Sequence, residues 1–162
     1  MRKEGPMLEV AVPSRGRLLL EHLVLDLNGT VALDGALLPG VRERLIGLGR
    51  QLTVHLVSAD TQGTLAAVAV GLAALAHRLE PGDEAAQKGA LVERLGADRV
   101  VALGNGANDA VMLARAALGI AVLGPEGLAL PCLQAADVIA PGIEAALDLL
   151  LHPRRLVATL RV

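Results

Sequence analysis

The chain has 162 residues and contains no Phe, Tyr or Trp. Without aromatics it can offer no base-stacking platform and no aromatic ligand cage, and its core has to be filled by aliphatic side chains. A single cysteine, Cys132, excludes an internal disulfide framework and any multi-cysteine zinc site. No charge of one sign prevails: 15 Lys and Arg stand against 17 Asp and Glu, a formal net charge of -2. That balance leaves no electrostatic footprint for nucleic acid or an anionic membrane. The longest apolar run, Leu65–Ala76, is 12 residues, too short to span a bilayer, and reads as a buried helix. The opening MRKEGPMLEV has no apolar stretch after its basic residues, so the expectation is a cytoplasmic protein whose residues 1–7 form a loose tail.

Other residue types are scarce. Lys3 and Lys88 are the only lysines, Ser14 and Ser58 the only serines, and Asn28, Asn105 and Asn108 the only asparagines. What is abundant is Ala, Leu, Val, Gly and Arg. Hydrophobic residues make up 53% of the chain, far from the composition of disorder. The length suits one domain over residues 1–162, large enough to bury a core without a staple.

Alternating apolar residues at Leu8, Val10 and Val12, a Pro13–Gly16 turn and the segment 17–20 predict a short N-terminal β-hairpin. Apolar runs at 22–27, 52–57, 99–103, 119–123 and 137–140, with a brief piece at 77–79, predict buried strands. Between them, helical patterns run over 39–49, 61–76, 83–95, 108–118, 126–135 and 142–151, with Asn108 or Asp109 as a candidate cap. The expected fold class is α/β, a doubly wound and mostly parallel sheet.

In such sheets the ligand site lies beyond the carboxyl ends of the strands. The first central strand delivers Asp26, Asn28 and Thr30, the second Ser58 and Asp60, and the third Asn105, Asn108 and Asp109. Lys88 lies near the start of the helix leading into the third. Most of the scarce polar residues therefore collect at one end of the sheet. A carboxylate followed by a Gly-containing turn can attack a phosphoryl group, while a hydroxyl and an ammonium hold its oxygens. An all-oxygen site of this kind suits Mg²⁺. Elsewhere, Asp60 reads as a helix cap, Cys132 as a small packed hydrophobe and Arg154–Arg155 as a solvated pair. His22, His55, His77 and His152 are scattered without metal-ligand spacing, and Gly104-x-Gly106 lacks the third glycine of a dinucleotide fingerprint.

Asp26-Leu27-Asn28-Gly29-Thr30 resembles the first motif, D-x-D-G-T, of the haloacid dehalogenase (HAD) superfamily. Ser58 resembles its second motif, Lys88 its third, and Gly104–Asp109 (GNGAND) its fourth. From SADTQGT through GNGANDAVMLARAALGIAV the chain is most similar to the phosphorylation domain of P-type ATPases, without room for their other domains. The resemblance implies a HAD-like Rossmannoid fold and a Mg²⁺-dependent phosphohydrolase acting on a phosphorylated substrate. It makes Asp26 the nucleophile that becomes aspartyl-phosphate. Ser58, Lys88, Gly29 and Thr30 would bind the phosphoryl group, and Asp26, the Asn28 carbonyl, Asn105 and Asp109 would hold the metal.

Two positions depart from that pattern. Asn28 stands where the hydrolases carry an acid–base Asp, and an amide cannot shuttle a proton. Asn105 stands where a metal-binding Asp is usual. The departures imply slow or narrow turnover, favouring acyl phosphates and similarly good leaving groups, which need acid–base help less than an alkyl ester does. No cap domain fits: 27 residues separate Thr30 from Ser58, and 29 separate Ser58 from Lys88. Capless sites act on large substrates or are closed by a neighbouring subunit, here a second copy of the chain. The alternative expectation is a catalytically impaired HAD domain that binds phosphate or a protein partner. A receiver-like module also combines an acceptor Asp, a hydroxyl and a Lys, but the acceptor's place on the first sheet strand argues against it. Restoring the acid tests the assignment. Asn28→Asp is expected to raise phosphate-ester hydrolysis by about 10²–10⁴-fold, measured as steady-state release of phosphate; no gain would show that the geometry for activating water is absent.

Overall fold

Leu8–Val12 (β1) and Gly16–Leu20 (β2) pair as an antiparallel hairpin in the computed structural model, which describes residues 5–61 and 63–162. Ser14 and Gly16 take positive φ in its turn. The expected tail at residues 1–7 lies partly outside the described residues; 5–7 are exposed and irregular. His22–Asp26 (β3) follows, then a small hairpin of Ala32–Leu33 (β4) and Ala36–Leu37 (β5), and the helix Val41–Leu48 (α1). Next come Thr53–Ser58 (β6), Leu65–Gly71 (α2), Leu75–Arg78 (β7) and Glu84–Leu95 (α3). Val100–Gly104 (β8), Ala110–Arg115 (α4), Leu118–Val122 (β9), Leu130–Ala135 (α5) and Val138–Ala140 (β10) complete the alternation. Ile143–Leu151 (α6) and Pro153–Leu160 (α7) close the chain.

Six strands form one sheet in the order β10-β9-β8-β3-β6-β7, every neighbouring pair parallel. This is the doubly wound α/β fold the sequence predicts. β3 lies in its middle, with Leu23, Val24 and Leu25 fully buried on the two faces. One aliphatic core joins β3 to α1, α2, α6, α7 and the β1–β2 hairpin. A second fills the face under α3, α4 and α5. Leucine takes the place of the missing aromatics, and each buried Leu or Val contributes roughly 1.5–3 kcal/mol. No cap is inserted on either side of β6: the described residues from Thr30 to Ser58 hold only β4, β5, α1 and β6.

The helix boundaries differ from expectation for reasons of sheet pairing. The Ala-rich run over 65–76 is not one buried helix. Val70 is 82% exposed, α2 ends at Gly71, Ala73 turns to a φ of 52°, and Leu75–Arg78 pairs along β6 as an edge strand. Ladder hydrogen bonds to a neighbouring strand here outweigh intrinsic helix preference. Likewise α4 ends at Arg115 because Leu118 already pairs with Val101. α5 starts at Leu130, not 126, with Pro131 in its first turn. Sequence patterning missed the β4–β5 hairpin and α7. Pro153 ends one helix and opens the next, α7 burying Leu156 and leaving Arg154 and Arg155 to solvent.

Three of the histidines thought to be scattered form a row. His22, His55 and His77 sit on adjacent strands β3, β6 and β7, each displaced by two residues, which keeps all three on one face of the sheet. His22 Nδ1 lies 3.1 Å from His55 Nε2, and His55 Nδ1 lies 2.9 Å from His77 Nε2. Three neutral imidazoles satisfy this chain with one proton each, all in the same tautomer. Burial, then His77 and His22, pushes the pKa of His55 down to about 4, and burial lowers those of His22 and His77. With the folded pKa below the unfolded value, His55 takes up a proton on unfolding, so its contribution to stability is lost as pH falls from about 6.5 toward 4. The expected outcome is that unfolding free energy drops by about 2–3 kcal/mol more between pH 7.5 and 4.5 in the unaltered chain than in His55→Leu. Urea denaturation at the two pH values measures it; parallel profiles would refute the assignment.

Candidate functional site

The chain runs from β3 outward through β6 to β7, then crosses back to β8 on the other side of β3. A crevice therefore opens at the carboxyl ends of β3, β6 and β8, where α/β sheets bind ligands. Asp26 ends β3. Behind it the backbone folds tightly on itself, Leu27 O accepting from the amides of Val31 and Ala32, both at 3.0 Å. Gly29, at a φ of 81°, supplies the left-handed step.

α3 starts at Asp83, whose side chain caps the amide of Ala86 at 3.0 Å, and it carries Lys88 into the crevice. Lys88 is 1% exposed, one of the largest fully buried side chains in the protein. Its ammonium donates to Asp26 Oδ1 at 2.9 Å and to Asp109 Oδ1 at 2.7 Å. Asp109 is wholly buried, and its Oδ2 accepts from the amides of Asn105 at 3.0 Å and Gly106 at 2.9 Å. Gly104 lies so close that a Cβ there would meet the Asp109 carboxylate at about 2.5 Å. Neither Asp109 nor Asn108 caps α4 through its side chain; Asn108 Nδ2 instead donates to Glu84 Oε2 at 2.7 Å.

Two expected ligands thus serve beneath the site. Asp109, expected at the metal, spends its carboxylate on Lys88 and the β8 loop. Thr30, expected at phosphate, is fully buried, its hydroxyl 3.0 Å from Asn105 Oδ1 and 3.3 Å from Asp26 Oδ2. Both hold other groups in position. Gly29, also expected at phosphate, does not line the pocket, and its amide donates to Ala32 O at 2.7 Å. The remaining candidates converge, with Asp26, Asn28, Ser58, Lys88 and Asn105 lining one pocket of about 260 Å³. Ser58 Oγ accepts from the Asp60 amide at 3.0 Å, so its own proton is available to an acceptor in the pocket. Asp60 Oδ1 accepts from the first amide of α2, Leu65, at 2.9 Å, the capping role expected of it.

Burial and the Asp109 carboxylate push the pKa of Asp26 up to about 6, with Lys88 and Thr30 pulling the other way. Asp26 remains largely ionised at neutral pH. Burial alone would lower the pKa of Lys88, but the two carboxylates outweigh it and raise it above its ordinary value. Burial and the same carboxylates push the Cys132 thiol up to about 12, and its Sγ lies 3.5 Å from Gly104 O, so it is inert packing. Asn28 Oδ1 is buried without a hydrogen-bond partner. An orphaned oxygen in a pocket that a carboxylate and a second amide also line, with no His or Cys among its described lining residues, is a donor set fit for a small hard cation such as Mg²⁺.

Glu84 and Glu126 also line the pocket and were missed in the sequence. Glu126 follows β9, whose carboxyl end opens on the same side as those of β3, β6 and β8. The strand-end rule that singled out the other residues would have found it.

No protein-family profile matches the chain. An uncharacterized protein of Methanocaldococcus jannaschii (MJ0073) is 44% identical over 63 residues, covering 39% of this chain and 68% of that protein, and the two belong to one family. Among solved structures, 3-deoxy-D-manno-octulosonate 8-phosphate phosphatase of Moraxella catarrhalis, in complex with magnesium, phosphate and its octulosonate, superposes with a TM-score of 0.61. It is 14% identical, over 86% of this chain and 92% of that one. A zinc-transporting PIB-type ATPase in its E2.Pi state is similar with a TM-score of 0.58 and 21% identity, over 76% of this chain but 20% of the ATPase.

The buried charges set a test of their own. Lys88→Met leaves the Asp26 and Asp109 carboxylates buried without a counterion and is expected to cost about 3–5 kcal/mol at pH 7.5. Without the ammonium the already raised pKa of Asp26 rises further, so the variant recovers stability as pH falls and that carboxylate protonates. Urea unfolding at pH 7.5 and 5.0 reads both effects. A Lys88→Met chain as stable as its parent at pH 7.5 would contradict the charge balance.

Proposed function

From the premise that the chain has the fold of the HAD superfamily, we propose that it is a Mg²⁺-dependent phosphohydrolase working through an aspartyl-phosphate on Asp26. The observation that carries this is the Asp26–Lys88–Asp109 charge row, buried at its inner end and opening at Asp26 into the pocket. That the similar Moraxella phosphatase was solved with magnesium and phosphate supports the same class of ligand here. The likeness to the ATPase supports kinship with P-type phosphorylation domains.

In the proposed reaction the Asp26 carboxylate attacks phosphorus, a P–O bond forms, and the bond to the leaving group breaks with its electrons going to the departing oxygen. Lys88 holds the carboxylate in place and offsets the charge that gathers on the phosphoryl oxygens; Ser58 donates its free proton to one of them. Water then attacks the phosphorus of the aspartyl-phosphate, and the P–O bond to Asp26 breaks with its electrons returning to the carboxylate. Inorganic phosphate leaves, one of the water's protons staying on it and the other passing to solvent. Asp26, the Asn28 carbonyl and Asn105 would hold Mg²⁺, which supplies neutralisation of phosphoryl charge. Asn28 cannot protonate an alkoxide leaving group, so an acyl phosphate, which leaves as a carboxylate, is the favoured substrate class.

The two amides support a second reading, a domain that binds phosphate or a protein partner without turnover. Hydrolysis of acetyl phosphate and p-nitrophenyl phosphate, with Mg²⁺ or with EDTA, separates the two. The expected outcome is Mg²⁺-dependent release of phosphate, faster from acetyl phosphate and abolished in Asp26→Asn. Equal rates in Asp26→Asn, or no release from either compound, would sink the hydrolase.

A further inference from the structure

The loop after β9 is built against the two amide-bearing motifs. Gly124 and Gly127 close a tight turn, Gly127 N donating to Gly124 O at 2.9 Å, with Pro125 and Glu126 at its tip. Two hydrogen bonds tie this loop to Asn105: the Asn105 Nδ2 donates to Gly127 O at 3.3 Å, and the Asn105 carbonyl accepts from the Ala129 amide at 2.8 Å. On the other side the turn rests on the Asn28–Gly29 segment. A Cβ at Gly124 would collide with Gly29 O, and a Cβ at Gly29 would collide with the Glu126 carboxylate. Glycine at both positions therefore makes the cradle in which that carboxylate lies, over Gly29 and beside Asn105.

The other rim acids are engaged elsewhere. Asp60 accepts from the Leu65 amide and Glu84 from Asn108. Glu126 has no such hydrogen bond among the described residues, and it enters from the β8–β9 flank, the side that carries Asn105. The geometry points to Glu126 as the carboxylate that completes the divalent-cation site, replacing from a separate loop the negative charge that the amides at 28 and 105 do not provide. This rests on the phosphohydrolase reading, because it takes the cation to sit among Asp26, Asn28 and Asn105. The cation affinity of an oxygen site rises with the number of charged ligands, so a third loop offering a carboxylate matters most where two neutral amides already stand.

Mn²⁺ binding followed by electron paramagnetic resonance, with Mg²⁺ as competitor, tests the assignment without any turnover. Glu126→Gln is expected to weaken Mn²⁺ binding by about ten-fold, in keeping with loss of one charged ligand. Glu93→Gln, an equal loss of charge on the exposed side of α3, leaves it unchanged. Adding Asn105→Asp to Glu126→Gln restores affinity by returning the charge to the same cation. Glu126 is exposed and makes no core contact, so the variant folds. Unaltered Mn²⁺ affinity in Glu126→Gln, while the parent chain also captures beryllofluoride at Asp26, overturns the role of Glu126 alone. A parent chain that takes neither Mn²⁺ nor beryllofluoride overturns the phosphohydrolase reading with it.

Discussion

Everything at the carboxyl end of the sheet depends on one buried ammonium. Lys88 is enclosed between Asp26 and Asp109, and each of the three groups would be costly to bury without the others. The requirement reaches well beyond the three side chains. Asp83 must cap α3 so that Lys88 arrives at the right depth, Gly104 must lack a side chain to admit Asp109, and the amides of Asn105 and Gly106 must turn inward to Asp109 Oδ2. Asp26 is the most exposed of the three, so the row presents its carboxylate and the edge of Lys88 to the pocket and keeps Asp109 beneath them.

Such a row is expensive as a stability device, since aliphatic residues of similar volume would bury more cheaply. Its presence in a chain otherwise packed with Leu, Val and Ala is an argument for chemistry. The pKa of about 6 at Asp26 shows the tension: burial and Asp109 favour the neutral acid, and Lys88 keeps the carboxylate charged near neutrality. The phosphoryl nucleophile proposed at Asp26 would have to be ionised yet poorly solvated, and this balance suits both.

The parts legible in the sequence are those set by local pattern and by rarity. The strand at 22–27, the capped start of α3 at Asp83 and the motif residues Asp26, Ser58, Lys88 and Asn105 could be found because apolar runs end there and scarce residue types appear there. What was not legible is set by pairing across the sheet. Leu75 and Ala76 look helical and become an edge strand because β6 offers them a ladder. His22, His55 and His77 look unrelated because 33 and 22 residues separate the bonded pairs. Thr30 reads as a phosphate ligand from its motif; only the packing of β8 against β3, which sets Asn105 above it, shows its hydroxyl to be occupied.

The amides at 28 and 105 change the electrostatics of the pocket in two opposing ways. The Asp26–Lys88–Asp109 row carries one net negative charge, and neutral residues at 28 and 105 add nothing to it. A phosphate dianion is then repelled less than it would be by a fully acidic site, but a divalent cation is held less firmly. A carboxylate on the rim resolves the conflict where one in the floor cannot. At the rim, water screens it from an incoming anion until a cation is present to pair with it. Glu126, solvent-exposed and seated over Gly29, is in that position, whereas an acid at 105 would stand beside Thr30 and Asp26 and raise the pKa of Asp26 further. The two departures from the motif therefore need not mark decay. On the proposed assignment they would move negative charge from the buried floor to the open edge, where it would aid the cation and spare Asp26.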